Sequence, residues 1–238
     1  MRHQATLAFT IILLSHTAVA GQAKQYPLET ANGLRLHNVS AEPATLDGKK
    51  GLRVTVSEEG LRRLQSMKPE DQAQFEQLAL LDGVVFANGV IEAEIAGVPA
   101  PGASEGARGF VGIAFRVQDD LRTYDGFYLR PTNGRADDQE RRNHAVQYIS
   151  HPDWPWFRLR KETPSKYEAY VDLVANSWTK LKIEVRGDRA RLYVHGQEQP
   201  TLIVNDVKTG AQGKGAVALW LDRGTVAHFR NLSVQPQN

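Results

Sequence analysis

Apolar residues recur at every second position through much of this chain, in short runs set between turn-forming residues. In VIEAEIAG (90–97), Ile91, Ala93 and Ile95 alternate with Glu92 and Glu94. In LKIEV (181–185), Leu181, Ile183 and Val185 alternate with Lys182 and Glu184, and in RARLYVHG (189–196) Ala190, Leu192 and Val194 alternate with Arg191, Tyr193 and His195. GAVALWLD (215–222) places Val217, Leu219 and Leu221 on one side and Ala218 and Trp220 on the other. A period of two is that of a strand with one face in a core. Gly187-Asp188 joins two of these runs as a two-residue hairpin turn. Regular alternation argues against a parallel sheet, whose strands are apolar on both faces. Two antiparallel sheets packed face to face, an all-β jelly-roll sandwich, are therefore expected.

Two segments break the rhythm. EEGLRRLQ (58–65) carries good helix formers with Leu61 and Leu64 three apart, and PEDQAQFEQL (69–78) opens with a proline followed by acidic residues. Both read as short helices inserted between strands. The Gly- and Pro-rich run PAPGASEGARG (99–109) reads as a loop between two strands.

The first residues read differently. Arg2 and His3 precede the apolar run QATLAFTIILL (4–14), and SHTAVA follows with small residues at Ala18 and Ala20. This is the layout of a cleaved secretory signal peptide over 1–20, and the run is shorter than the roughly 20 residues that span a bilayer. The expectation is an exported protein, periplasmic or extracellular, with no membrane span after cleavage and one sandwich domain over 21–238. The chain has no cysteine, so a sizeable core must hold the fold without disulfides. Its formal net charge is only +2, with charges interspersed, which argues against a nucleic-acid partner.

Candidate chemistry concentrates between 110 and 178. In GFVGIAFRV (109–117), Val111, Ile113 and Phe115 should enter the core, leaving Phe110, Gly112, Ala114 and Arg116 on the other face. If Phe127 and Leu129 point inward, Tyr128 and Arg130 point outward together. The stretch 141–161 adds His144, Gln147, Tyr148, Trp154 and Trp156, the two tryptophans on a loop stiffened by Pro152 and Pro155. YEAYVDL (167–173) sets Glu168, Tyr170 and Asp172 on one side. Aromatic rings that stack on the C–H face of a pyranose, beside paired hydrogen-bonding groups for its hydroxyls, suit a sugar. The candidate ligand-binding set is Arg116, Tyr128, Arg130, Gln147, Tyr148, Trp154, Trp156 and Tyr170. Glu168 and His144 are the candidate acid and base. The five histidines after the leader show no HxH or HxxxH spacing, so no metal or other cofactor is expected; Asp119-Asp120 and Asp137-Asp138 leave calcium as the one alternative.

The series GIAFR (112–116), YDGFYLRP (124–131), VQYIS (146–150), WPWFRLR (154–160), Trp178 before KLKIEV, RARLYVHG and the terminal VAHFRNLSV resembles the concanavalin A-like lectin/glucanase superfamily. Within it the likeness is to exported laminin-G-like proteins and 3-keto-disaccharide hydrolase-like domains, over roughly 75–236. The resemblance implies a jelly roll with its ligand on the concave sheet face or the rim loops. The E-x-D-x-E strand of the superfamily's glucanases has no counterpart here. A fold alone does not choose among functions, and three stay open: an exported carbohydrate-binding or recognition protein, a glycan-active hydrolase or lyase, and an envelope protein-interaction module with an unknown partner.

Overall fold

A computed structural model describes residues 22–237. The leader expected over 1–20 lies outside these residues. In chain order the first elements are β1 (Lys24–Tyr26), β2 (Leu34–His37), β3 (Val39–Leu46), β4 (Lys49–Val56), α1 (Glu58–Ser66), β5 (Leu78–Leu81), β6 (Asn88–Pro99) and β7 (Val111–Val117). Next come β8 (Tyr124–Leu129), α2 (Gln139–Asn143), β9 (Val146–His151), α3 (Trp156–Glu162) and β10 (Glu168–Ala169). The last are β11 (Thr179–Arg186), β12 (Arg189–Val194), β13 (Leu202–Val204), β14 (Ala216–Leu221) and β15 (Thr225–Gln237).

The strands form two antiparallel sheets. One runs β13-β12-β11-β6-β15-β4-β3, with β1 paired to β15; the other runs β10-β9-β8-β7-β14-β5-β2. This is the jelly-roll sandwich that the alternation predicts. The side chains expected inside are inside: Ile91, Ile95, Leu181, Ile183, Val185, Leu192 and Val194 from one sheet meet Val111, Ile113, Phe115, Phe127, Leu129, Val217, Leu219 and Leu221 from the other.

Both expected insertions are present. Helix α1 is capped by Ser57, whose side chain accepts from the Gly60 amide, and Glu58 and Glu59 sit in its first turn, where the helix dipole favours acids. Pro69–Gln74 forms a 3-10 helix rather than an α-helix. The alternation gave no sign of α2 and α3. Helix α3 replaces the stiffened loop expected around the tryptophans and starts directly after Pro155.

One irregularity has wide effects. Between β7 and β14 the register shifts at Ala216/Ala218, and Arg116 takes a φ of 58°, unusual for a residue with a side chain. The sheet margins are β3 and β13 in one layer and β2 and β10 in the other.

Candidate functional site

The outer face of the seven-stranded sheet carries a second buried cluster built on Leu78, Leu80, Ala114, Tyr124, Tyr128, Ile149, Ala218 and Trp220. Strand register explains its order. Leu78, Trp220, Gly112, Tyr128, Gln147 and Glu168 are successive cross-strand partners, so they make one row across β5, β14, β7, β8, β9 and β10. Directly opposed residues share a face. Gly112 sits between the two large rings of the row. A Cβ there would lie 2.1 Å from the Phe127 carbonyl oxygen and 2.6 Å from Tyr128 Cβ. Without it, Tyr128 and Trp220 stack over the gap with centroids 4.8 Å apart and planes 27° apart. The space left by Gly112 is thus covered by this ring pair.

A charged network stands at one end of the row. Arg130 donates to Glu168 Oε1 at 3.0 Å, the Tyr128 hydroxyl at 2.8 Å, Gln147 Oε1 at 2.9 Å and the His144 carbonyl at 2.9 Å. Arg160, from α3, donates to both oxygens of Glu168. The Nδ1 of His144 lies 3.0 Å from Glu168 Oε2, but is not aligned for a hydrogen bond. Burial opposes charge on Glu168, yet the Arg160 hydrogen bonds and the Arg130, Arg160 and His144 charges outweigh it and hold the carboxyl below its ordinary value. Burial, partly offset by Glu168, lowers His144, so its imidazole is neutral at neutral pH. Burial drives the Tyr128 phenol up to about 12, against the pull of Arg130.

A second network stands at the other end. Tyr124 donates to Glu76 and accepts from Trp220 Nε1 at 2.9 Å. The Nδ1 of His151 is 2.8 Å from Glu76 Oε1, and its ring stacks on Tyr124 with centroids 5.0 Å apart. Burial and Glu76 push the Tyr124 phenol well above its ordinary value.

Between the networks the face opens as a groove in two parts. The first is a cavity of about 220 Å³ bounded by Phe75, Phe110, Tyr128, Trp156, Phe157 and Trp220, with His151 and Asp222 in its wall. The second, about 460 Å³, is bounded by Arg108, Arg130, Arg141, His144, Arg160 and Arg223. Phe110, Trp156, Asp222 and Arg223 border both. Trp156 is 42% exposed, with the Arg160 guanidinium 4.8 Å from its ring centroid. Burial raises the half-buried Asp222 carboxyl to about 6, against the opposing pull of Arg223.

Of the residues singled out in the sequence, Tyr128, Arg130, His144, Gln147, Trp156 and Glu168 come together here. The remaining four lie elsewhere, and each departure has a physical cause. Arg116 is carried by the bulge out of the row, and its fully buried guanidinium donates to the carbonyls of Ala87, Gly187 and Gly210 and to Thr209. Tyr148 neighbours Gln147 on β9 and must point the opposite way; it enters the core, where its hydroxyl donates to Asp125 Oδ1 at 2.6 Å. Trp154 packs against the main core beneath the Arg158 and Lys208 charges, 3.9 and 4.5 Å from its ring centroid. Strand β10 ends after Ala169, so Tyr170 and Asp172 leave the sheet for solvent and pair with Arg142 and Arg135.

Two of the four aspartates considered for calcium serve local structure: Asp120 accepts from the Arg122 and Thr123 amides, and Asp138 caps α2. Among the described residues, no group of three His, Cys, Asp or Glu side chains is placed to hold a metal ion. The sequence reading missed Glu76, Tyr124, His151, Arg160, Trp220 and Asp222. Three of them carried a signal. His151 shares the parity of Gln147 on β9 and directly opposes Tyr124. Tyr124 has the parity of Tyr128 on the same strand, and Trp220 alternates with the core residues of β14.

Residues 45–235 match the 3-keto-alpha-glucoside-1,2-lyase-like domain family. The chain belongs to this family. Among solved structures, a carbohydrate-binding module, CBM66, from Bacillus subtilis is similar at 13% identity and TM-score 0.51, over 83% of this chain and 95% of that one. A Bacillus subtilis protein of unknown function with a galectin-like fold aligns at 11% identity and TM-score 0.54, over 93% and 99%. The Crh5 transglycosylase in complex with NAG aligns at 12% identity and TM-score 0.51, over 93% and 86%. At such identities these neighbours establish the jelly roll alone. No curated protein matches the chain in sequence. Among the described residues no helix is long and apolar enough to cross a membrane.

Proposed function

We propose that this lyase-like family member is an exported carbohydrate-recognition protein that holds a glycan in the groove on the concave face of the seven-stranded sheet. The observation that carries the proposal is the aromatic cavity. Tyr128, Trp220 and Trp156 border one space, beside a second rich in fixed hydrogen-bond donors. A pyranose ring lies its C–H face on such rings and turns its hydroxyls toward the charged wall. The rings need little ordering on binding: Tyr128 and Trp220 are already stacked, and the hydroxyl and indole N–H are already bonded to Arg130 and Tyr124. The CBM66 module and the NAG-bound Crh5 transglycosylase, which share this fold, support a sugar as the ligand class. Export rests on the leader pattern at 1–20. Calorimetry and tryptophan fluorescence with a panel of oligosaccharides test the reading. A matching glycan shifts the emission and is recovered intact. A protein that binds none of a broad panel, yet captures a stable protein partner, would be an interaction module instead.

A second reading, a glycan-active lyase, is favoured by the family and by two titratable groups in the aromatic cavity. His151 is held by Glu76 through Nδ1, which leaves Nε2 without a partner among the described residues, and Asp222 titrates near 6. Elimination across C1–C2 of a 3-keto-α-glucoside needs a base for the C2 proton, acidified by the neighbouring ketone, and an acid for the departing C1 oxygen. Mass spectrometry after incubation with a 3-keto-disaccharide checks this. Release of the leaving sugar, abolished in His151→Gln, selects the enzyme; an unchanged disaccharide selects the binder.

A further inference from the structure

The basic half of the groove has more positive charge than its own carboxylates can balance. Five arginines border it, and they come from five separate places in the chain: Arg108 from the loop before β7, Arg130 from the end of β8, Arg141 from α2, Arg160 from α3 and Arg223 from the turn after β14. Glu168 and Asp222 face them, and Glu105 and Glu140 lie near enough to act on Arg108 and Arg160 without pairing with either. Glu168 is committed to Arg130 and Arg160, with His144 also in contact. Asp222 borders the cavity and, raised by burial to about 6, still carries most of its charge at neutral pH, but it lies beyond ion-pair distance of the arginines.

Arg108, Arg141 and Arg223 converge on one cavity with no carboxylate within ion-pair distance among the described residues. Arg108 donates to the carbonyls of Glu105 and Ala107, and Arg223 to Gln72. Arg141 reaches only the Thr132 carbonyl, at 3.5 Å, and its buried Nε has no acceptor. Like charges crowd one another here. Burial and then the Arg141 charge, with a smaller push from Arg130, lower Arg108 from its ordinary value against the opposing pull of Glu105. Holding guanidinium groups together without counter-charge is unfavourable unless an anion completes the set, and their fork geometry fits a planar carboxylate or a tetrahedral oxyanion.

We infer that the glycan bound in this groove is acidic, with a carboxylate or sulfate substituent seated among Arg108, Arg141 and Arg223 while its ring lies in the adjoining aromatic cavity. The inference rests on the carbohydrate reading above and specifies its substrate class. Phe110 and Trp156, which border both cavities, stand where the ring would give way to the charged substituent. Arg130 and Arg160 are already held by Glu168 and set the positive field of the wall.

Calorimetry on the full chain with charged and neutral partners of the same sugar tests this: trigalacturonate against its methyl ester, N-acetylglucosamine 6-sulfate against N-acetylglucosamine, and sodium sulfate alone. The expected result is that the charged member of at least one pair binds about tenfold or more tightly than its neutral partner, as charge-assisted hydrogen bonds give. The advantage shrinks when ionic strength rises from about 0.05 to about 0.5 M, as screening requires. Arg108→Gln and Arg223→Gln each reduce the charged member's affinity about tenfold. Arg223 is exposed, so its variant keeps the wild-type melting temperature and guards against a folding artefact at Arg108. Equal binding of charged and neutral partners overturns the inference and leaves the carbohydrate reading standing. Charged binding indifferent to both substitutions also overturns it. Sulfate bound through these arginines, with no sugar bound at all, sinks the carbohydrate reading and keeps the anion site. Uptake of neither sugars nor sulfate sinks both.

Discussion

The two faces of the seven-stranded sheet are both buried, but by different means. The inner face is closed by the opposite sheet, with aliphatic and phenylalanine side chains such as Val111, Ile113, Phe127 and Leu219. The outer face is closed by its own aromatics and by the inserted segments, and its large polar groups also make directed bonds: Tyr128 to Arg130, Trp220 to Tyr124, Gln147 to Arg130. Non-directional burial fixes the sandwich; directed bonds fix the orientation of rings and charges in the groove. The two buried arginines repeat the contrast. Arg116 satisfies backbone carbonyls at one end of the sandwich, whereas Arg130 is held by side chains that line the groove.

The hardest blow to this contrast is Arg130→Ala, which strands Glu168 among fewer positive groups and should cost about 3–5 kcal/mol, the usual result of removing one partner from a buried pair. Urea unfolding measures it. A loss under about 1 kcal/mol would mean that the network is solvated. Arg116→Met should cost about 3 kcal/mol, because the carbonyls of Ala87, Gly187 and Gly210 lose their donor. Glycan affinity of the folded protein should stay at the wild-type level; a matching loss of binding would erase the distinction between the two arginines.

Asp222→Asn should raise stability by about 2 kcal/mol at pH 7, discounted from its full shift because the group is only half-buried. The wild-type carboxyl binds its proton more tightly folded than unfolded, since burial raises it from 3.8 to about 6. Stability from this group is therefore present below pH 4 and is lost as pH rises through 6, so the variant's advantage should grow between those values and then level off. A constant advantage across pH would place Asp222 in water. The smallest change is Trp156→Ala. With 42% of the residue exposed, the melting temperature should barely move, while glycan binding weakens by about 1–2 kcal/mol from lost stacking. An unchanged affinity would remove Trp156 from the groove's working surface.

Period-two patterning made the sandwich legible, and within it the pairing of Tyr128 with Arg130 and of both with Gln147 and Glu168. It failed where the backbone leaves regular geometry. The bulge at Arg116 inverts the rule for one residue, and nothing in GIAFR announces it. The end of β10 after two residues releases Tyr170. Tyr148 departs for a different reason: it follows Gln147 on β9, and adjacent strand residues cannot share a face. Arg160, Glu76 and Asp222 reach the groove from helix and loop positions far apart in sequence, where periodicity has no reach; only tertiary packing assembles them.

The sheet margins have a consequence for the molecule in a crowd. Among the strands with one free edge, β1, β2, β10 and β13 have 3, 4, 2 and 3 residues, and the long one, β3, is interrupted by Pro43, which offers no N–H. A neighbouring copy finds no extended ladder to join. Short or proline-interrupted margins of this kind disfavour edge-to-edge pairing of copies in a chain that has no disulfide to hold it closed.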